Sequence, residues 1–219
     1  MSEPDFVRDT RASYDAVAAD YFERFGAELE AKPLDRAMLA AFAELVLAAG
    51  GGPVADIGCG SGRVSAHLAR LGLSVSGIDL SPQMIAAARR RYPGLRFEVG
   101  SMLSLDVPDA SLGGALAWYS TIHIPDERLP EVFAEFYRVL APGGYLQLGF
   151  QVRDAPRHAS ESQGRPISLD SPRRQPDDVA RLLAAAGFSV RAQLVRAPDE
   201  EGEFSEREPQ AFLLARKPA

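Results

Sequence analysis

Lysine is almost missing from this chain. Only Lys32 and Lys217 stand among its 24 basic residues, and 30 acidic residues leave a formal charge of −6 with no stretch of concentrated positive charge. A surface of that sign has no general attraction for phosphate backbones or anionic lipid, which argues against nucleic acid and membrane surfaces as partners. Cysteine is rarer still: Cys59 is alone, so no internal disulfide can form. His67, His123 and His158 are scattered and have no cysteine partners, so no zinc-type cluster is spelled and no metal is expected. No apolar run approaches the ~20 residues that a membrane helix needs. The opening Met1-Ser2-Glu3-Pro4-Asp5-Phe6 is acidic where a signal peptide would carry an apolar core. Together these absences lead to the expectation of a soluble, cytoplasmic protein, monomer or homodimer, that acts on a small molecule.

The residues that are present suffice for one substantial core, with 46% hydrophobic and 25% charged residues over 219 positions. A single domain spanning 1–219 is therefore expected. Tyr14, Val17, Ala18, Tyr21 and Phe22 recur at three- and four-residue spacing and predict a helix from Asp9 to about Gly26, which with the residues up to 33 would form a helical cap. Leu34 to Ala49 repeats the helical period and stops at Gly50-Gly51-Gly52-Pro53. Thereafter predicted strands at 54–57, 73–80, 96–99, 113–119 and 144–151 alternate with helices at 63–70, 83–91 and 129–140, the pattern of a parallel sheet covered by helices on both faces. A helix at 177–186 is followed by strands at 188–195 and 210–215 with no helix between them, so those two should pair antiparallel. The acidic run from Asp199 to Glu208 that joins them reads as a solvated connection. Residues 152–174 are rich in Pro, Ser and Arg without a sustained period and read as a long functional loop or lid, where Arg153 and His158 are candidate substrate contacts.

The chemistry concentrates in Gly58-Cys59-Gly60-Ser61-Gly62. This loop follows a strand and opens a helix, so its backbone can approach a ligand closely and turn N–H groups toward negative charge. The dinucleotide fingerprint is incomplete: Arg63 stands where the third glycine would fall counting from Gly58, and Ser65 where it would fall counting from Gly60. No phosphate-gripping G-x-x-x-x-G-K-[ST] element occurs either. Asp79, nineteen residues after Gly60 and at the end of the second strand, is placed to accept hydrogen bonds from two ribose hydroxyls. A tight strand–helix turn and an ordinary helix cap would also account for these residues. His123, just past the fourth strand, lies at the edge where ligands of open α/β sheets bind and is a candidate acceptor for a proton lost by substrate. Its alternative role is to hydrogen-bond the loop backbone. His67 falls inside a helix and reads as structural.

Val54-Ala55-Asp56-Ile57-Gly58-Cys59-Gly60-Ser61-Gly62 and Gly77-Ile78-Asp79-Leu80-Ser81 resemble two motifs of the class I S-adenosylmethionine-dependent methyltransferases of small-molecule type. Gly100-Ser101-Met102, Ala117-Trp118-Tyr119-Ser120 and Arg138-Val139-Leu140-Ala141-Pro142-Gly143-Gly144 are similar to three more, so the resemblance covers roughly residues 50–150. It implies an α/β fold: a three-layer sandwich with a seven-stranded, mostly parallel sheet, an antiparallel C-terminal hairpin and an N-terminal helical cap. S-adenosylmethionine is the implied cofactor, with methyl transfer to oxygen or nitrogen of a small molecule. In its terms Gly58 and Gly60 would line the cofactor's methionine part, Asp56 would hold the methionine amino group, and Cys59 and Gly62 would belong to the same cofactor site. Asp79 would meet the ribose, Met102 with Ser101 would contact the adenine, and Leu80 and Met84 would also belong to the cofactor site. Tyr14, Tyr21, Trp118 and Tyr119 would offer aromatic faces to the sulfonium or else simply pack in the core. A protein that binds the cofactor without transferring its methyl group, and a dinucleotide or nucleotide-sugar oxidoreductase, are the other readings.

Overall fold

The computed structural model describes residues 3–162 and 164–219. The start of the acidic N-terminal stretch, Met1 and Ser2, and Gln163 within the 152–174 segment lie outside the described residues. Helices α1 (Asp5–Phe25), α2 (Glu28–Ala31) and α3 (Pro33–Ala48) lead into β1 (Pro53–Ile57), α4 (Arg63–Arg70), β2 (Ser74–Asp79), α5 (Pro82–Arg91) and β3 (Arg96–Val99). Then come β4 (Leu112–Trp118), a 3-10 turn at Thr121–His123, α6 (Leu129–Val139), β5 (Leu140–Gln151), β6 (Arg157–Ser162), β7 (Arg165–Ser171), α7 (Pro176–Ala185), β8 (Ser189–Arg196) and β9 (Gln210–Arg216).

Seven strands form one sheet in the order β3-β2-β1-β4-β5-β9-β8. All pairs from β3 to β5 are parallel, and β9 runs antiparallel to both of its neighbours, β5 and β8. The continuous apolar run Ala211-Phe212-Leu213-Leu214-Ala215 suits that interior place, because a strand flanked on both edges and covered on both faces needs no polar side. Elsewhere the two-residue period of a strand divides the core. Leu116 and Trp118 of β4 face α3 and α4, where Leu39, Phe42, Val46, Val64 and Leu68 pack with Phe212 and Leu214. Ala115 and Ala117 face the other way, against Phe133 and Phe136 of α6 and Leu183 of α7. Buried aromatic and aliphatic side chains of this kind each contribute about 1.5–3 kcal/mol relative to exposure. Three layers result, with the strand order reversing between β1 and β4, so the loops after these strands diverge and leave a crevice.

Two expectations are corrected. Residues 152–174 are not an open loop, because β6 and β7 pair as an antiparallel hairpin closed at its base by reciprocal backbone hydrogen bonds between Arg153 and Arg174 of 2.9 and 3.0 Å. β6 is mostly exposed and lacks the in–out alternation of a half-buried strand, whereas β7 alternates over Pro166 to Ser171, with Ile167 and Leu169 turned inward. The acidic connection between β8 and β9 is likewise tied down rather than merely solvated. Lys32 Nζ donates to Asp199 Oδ2 at 2.7 Å and lies 3.3 Å from Glu206, and Arg196 forks onto Glu206 at 2.5 and 2.8 Å and onto Asp35 at 2.8 Å. Lys32 and Arg196 are buried, and buried cations persist only when paired.

Candidate functional site

The crevice is the mouth of a cleft of about 1080 Å³, counting its opening to solvent. Its floor is the loop after β1. Gly58 has φ +79°, and a Cβ there would lie 2.1 Å from the Ser120 Cβ, so only glycine lets this loop pass beneath the loop after β4. Ser120 in turn donates to the Ile57 carbonyl at 2.6 Å, which clamps the two loops together.

Two carboxylates stand on this floor. Asp79 Oδ2 accepts from the Gly60 N–H at 2.7 Å and Oδ1 from the Ser81 N–H at 2.8 Å, so one side chain holds both the glycine loop and the start of α5. Each oxygen keeps a lone pair for a ligand hydroxyl. Burial pushes the Asp79 carboxyl above its ordinary value, and the Ser81 and Gly60 N–H groups oppose that shift. Asp56 Oδ2 accepts from Ser65 at 2.6 Å, whereas its Oδ1 is buried and has no partner. Burial raises the Asp56 pKa to about 6. Ser61 Oγ, on the same floor, is also buried and unpartnered. Buried polar atoms without partners are rare in folded proteins, and two lining one cleft point to a ligand that supplies them.

The roof is α1. Its Tyr14 hydroxyl lies 3.0 Å from His123 Nε2, and His123 Nδ1 lies 2.8 Å from the Asp170 carbonyl of β7. A carbonyl only accepts, so Nδ1 carries the proton and Nε2 accepts from Tyr14. Burial lowers the His123 pKa, with the Asp170 carbonyl opposing it, and raises that of Tyr14. Ser13 fixes the hairpin to the same helix by accepting from the Ser168 N–H at 2.9 Å and donating to its carbonyl at 3.2 Å.

Most of the residues singled out from the sequence converge here. Asp56, Gly58, Cys59 and Gly60 line the floor, as do Asp79, Leu80 and Met84 beside it. Ser101 and Met102 close one end, and Tyr14, Tyr21, Trp118, Tyr119 and His123 face the cleft from above and behind. Trp118 gives much of its ring to the core, stacked on Phe212 with centroids 5.0 Å apart. Tyr119 has φ 55°, a conformation that costs a non-glycine residue free energy and recurs at ligand sites.

Three others do not reach the cleft. A Cβ on Gly62 would meet the Phe97 ring at 2.7 Å, so this glycine serves helix–sheet packing rather than a ligand. Arg153 is held by Glu208 at 2.5 Å and is mostly buried, and His158 pairs with Asp170 at 2.7 Å on the exposed hairpin. His67, on α4, also stands outside it. Missed from the sequence were Phe6, Val7, Thr10 and Arg11, which line the cleft from the first turns of α1. Phe6 and Thr10 precede Tyr14 at four-residue steps, so extending the helical stripe back past Asp9 would have found them.

Residues 54–144 match the family model described as a methyltransferase domain. That stretch, less than half of the chain, is therefore similar to a methyltransferase domain. Across 167 residues it is 35% identical to 24-methylenesterol C-methyltransferase 2 of Oryza sativa subsp. japonica, covering 69% of this chain and 45% of that protein. Across 145 residues it is 34% identical to the O-methyltransferase cnsE of Penicillium expansum, covering 63% and 52%. The chain thus spans about half the length of these curated relatives. The fold also matches the structure of the DhpI–SAH complex, with a TM-score of 0.75 and 20% identity over 99% of each chain.

The cleft fits S-adenosylmethionine, the cofactor that the motif resemblance implies. The unpartnered Asp56 Oδ1 suits an ammonium group and the free lone pairs of Asp79 suit a ribose, while Tyr21 and Tyr119 border the space between. No described helix is long and apolar enough to cross a membrane. Among the described residues no group of three His, Cys, Asp or Glu side chains is placed to hold a metal ion.

Proposed function

We propose that this protein transfers a methyl group from S-adenosylmethionine to an oxygen or nitrogen of a small-molecule acceptor. The observation that carries the reading is the pairing, on one cleft floor, of the unpartnered Asp56 Oδ1 with an Asp79 carboxylate that organises the glycine loop and still has lone pairs to offer. In this reading Asp56 and the loop Gly58-Cys59-Gly60-Ser61 hold the amino-acid part. Asp79 and Leu80 hold the ribose, Met84, Ser101 and Met102 surround the base, and Tyr14, Tyr21, Trp118 and Tyr119 border the sulfonium. When bound, the cofactor supplies an electrophilic methyl group. The protein's share is to hold the acceptor's lone pair in line with that group and to keep water out, which orientation alone makes worth about 7–11 kcal/mol in favourable cases.

The chain is taken as one unit, with α1 and the β6–β7 hairpin covering the acceptor. Its net charge and single cysteine suit a small-molecule substrate rather than nucleic acid or a membrane surface, and a cytoplasmic location; the protein is taken as a monomer or homodimer. Calorimetric titration with S-adenosylmethionine and S-adenosylhomocysteine, followed by mass-spectrometric detection of products from a panel of hydroxyl, amine and carboxylate compounds, tests the proposal. Saturable binding and a product heavier by one methylene unit are expected. Absence of binding would sink it, and binding with no product across the panel would leave a cofactor-binding protein that does not methylate.

A further inference from the structure

The reading above leaves open which acceptor atom is methylated and where its proton goes. His123 lines the cleft, yet neither of its nitrogens is open. Nδ1 is committed to the Asp170 carbonyl at 2.8 Å, and the Nε2 lone pair is occupied by the Tyr14 hydroxyl at 3.0 Å. The atom of the pair that keeps an uncommitted lone pair is the Tyr14 oxygen, and Tyr14 lines the same cleft as the apolar Phe6, Val7, Leu103 and Ile124. Two cations also line the cleft, and both are taken: Arg11 is gripped by both carboxylate oxygens of Glu3, and Arg63 bonds Glu28 at 2.7 Å.

We propose that the Tyr14 hydroxyl takes the acceptor's proton while passing its own to His123 Nε2, and that the acceptor is an uncharged hydroxyl compound with an apolar body. This rests on the methyl-transfer reading. The acceptor oxygen's lone pair forms the new O–CH3 bond as the methyl–sulfur bond breaks, with that bond's electron pair staying on sulfur. The acceptor's O–H proton moves to the Tyr14 oxygen, the phenolic proton moves to Nε2, and the resulting imidazolium releases its proton to solvent after the product leaves. A phenol that burial keeps protonated and an imidazole that burial keeps neutral are both in the form this transfer needs at its start. The Asp170 carbonyl stabilises the imidazolium by keeping its hydrogen bond from Nδ1–H. An acceptor carrying a carboxylate or phosphate would find no free cation among the described lining residues.

The test has two parts. Proton–nitrogen NMR of the three imidazoles in the cofactor-free protein should show His123 protonated at Nδ1 with a bare, hydrogen-bonded Nε2, and Tyr14→Phe should shift that Nε2 signal. An Nε2–H tautomer, or an Nε2 signal indifferent to Tyr14→Phe, overturns the relay. In turnover, Tyr14→Phe and His123→Asn should each lower kcat for a hydroxyl acceptor by about 10²-fold or more, the double variant should be no worse than either single, and the acceptor KM and cofactor Kd should stay within twofold. His123→Asn is chosen because its amide N–H can still serve the Asp170 carbonyl, so a folded but slow enzyme separates proton transfer from architecture. Full turnover in either variant, or a preference for anionic or amine acceptors, overturns the relay while leaving methyl transfer standing. An intact Nε2 signature with no methylated product from any acceptor overturns the methyl-transfer reading, and the relay falls with it.

Discussion

Lowering the pH should weaken cofactor binding through Asp56. Its Oδ1 is buried without a partner, and burial lifts its pKa to about 6, opposed by the Ser65 hydroxyl and Arg63 and reinforced by Asp79. A ligand ammonium group needs the ionised carboxylate. With a pKa of about 6, roughly 0.9 of the sites are ionised at pH 7 and roughly 0.1 at pH 5, so the dissociation constant of S-adenosylhomocysteine should rise about tenfold over that interval. The sign for stability runs oppositely in the free protein. A carboxyl whose folded pKa exceeds its unfolded one favours folding below the unfolded value, and that contribution is lost as pH rises through about 6. Ligand-induced thermal stabilisation should therefore be larger at pH 7 than at pH 5. Calorimetry at pH 5, 6 and 7 measures the effect, with two controls: Asp56→Asn, which should bind weakly at every pH, and a 5′-thioether nucleoside without the amino-acid part, which should titrate flat. A flat profile for the wild type would refute the reasoning, and an equal slope for the truncated nucleoside would move the titration to Asp79.

Gly58→Ala should lower stability by about 2–5 kcal/mol in denaturant unfolding, combining left-handed strain with overlap against Ser120; a change under about 0.5 kcal/mol would mean the two loops are not clamped as described. Asp79→Ala should lose about 1.5–3 kcal/mol of cofactor affinity and also soften the glycine loop, since both of its oxygens hold backbone N–H groups. Unchanged binding by calorimetry would remove it from the ribose site. Arg153→Ala and His158→Ala should leave the acceptor KM within twofold, because both side chains are engaged away from the cleft; a tenfold rise for either would place the acceptor against the base of the hairpin.

The order of strands and helices was legible in the chain because it depends on periods of two and 3.6 residues that each segment carries locally. The glycine loop and Asp79 were legible for the same reason, since nineteen residues of strand and crossover helix separate Gly60 from a carboxylate that turns out to bond its N–H. Only the tertiary structure could show that Tyr14 meets His123 across 109 positions, that Ser13 meets Ser168 across 155, or that Lys32 is buried against Asp199. Each of these pairs joins segments whose own patterns are complete without the other, so nothing in either one announces its partner. The hairpin at 157–171 escaped notice because β6 is mostly exposed and carries no apolar face, and the alternation of Ile167 and Leu169 in β7 is too short to stand out beside it. Local pattern thus determined the sheet and the glycine loop with its acidic partner, and resemblance added the cofactor, whereas the docking of α1 and the hairpin over the crevice decided which polar groups line its roof, because docking is set by the whole molecule's packing rather than by any one segment.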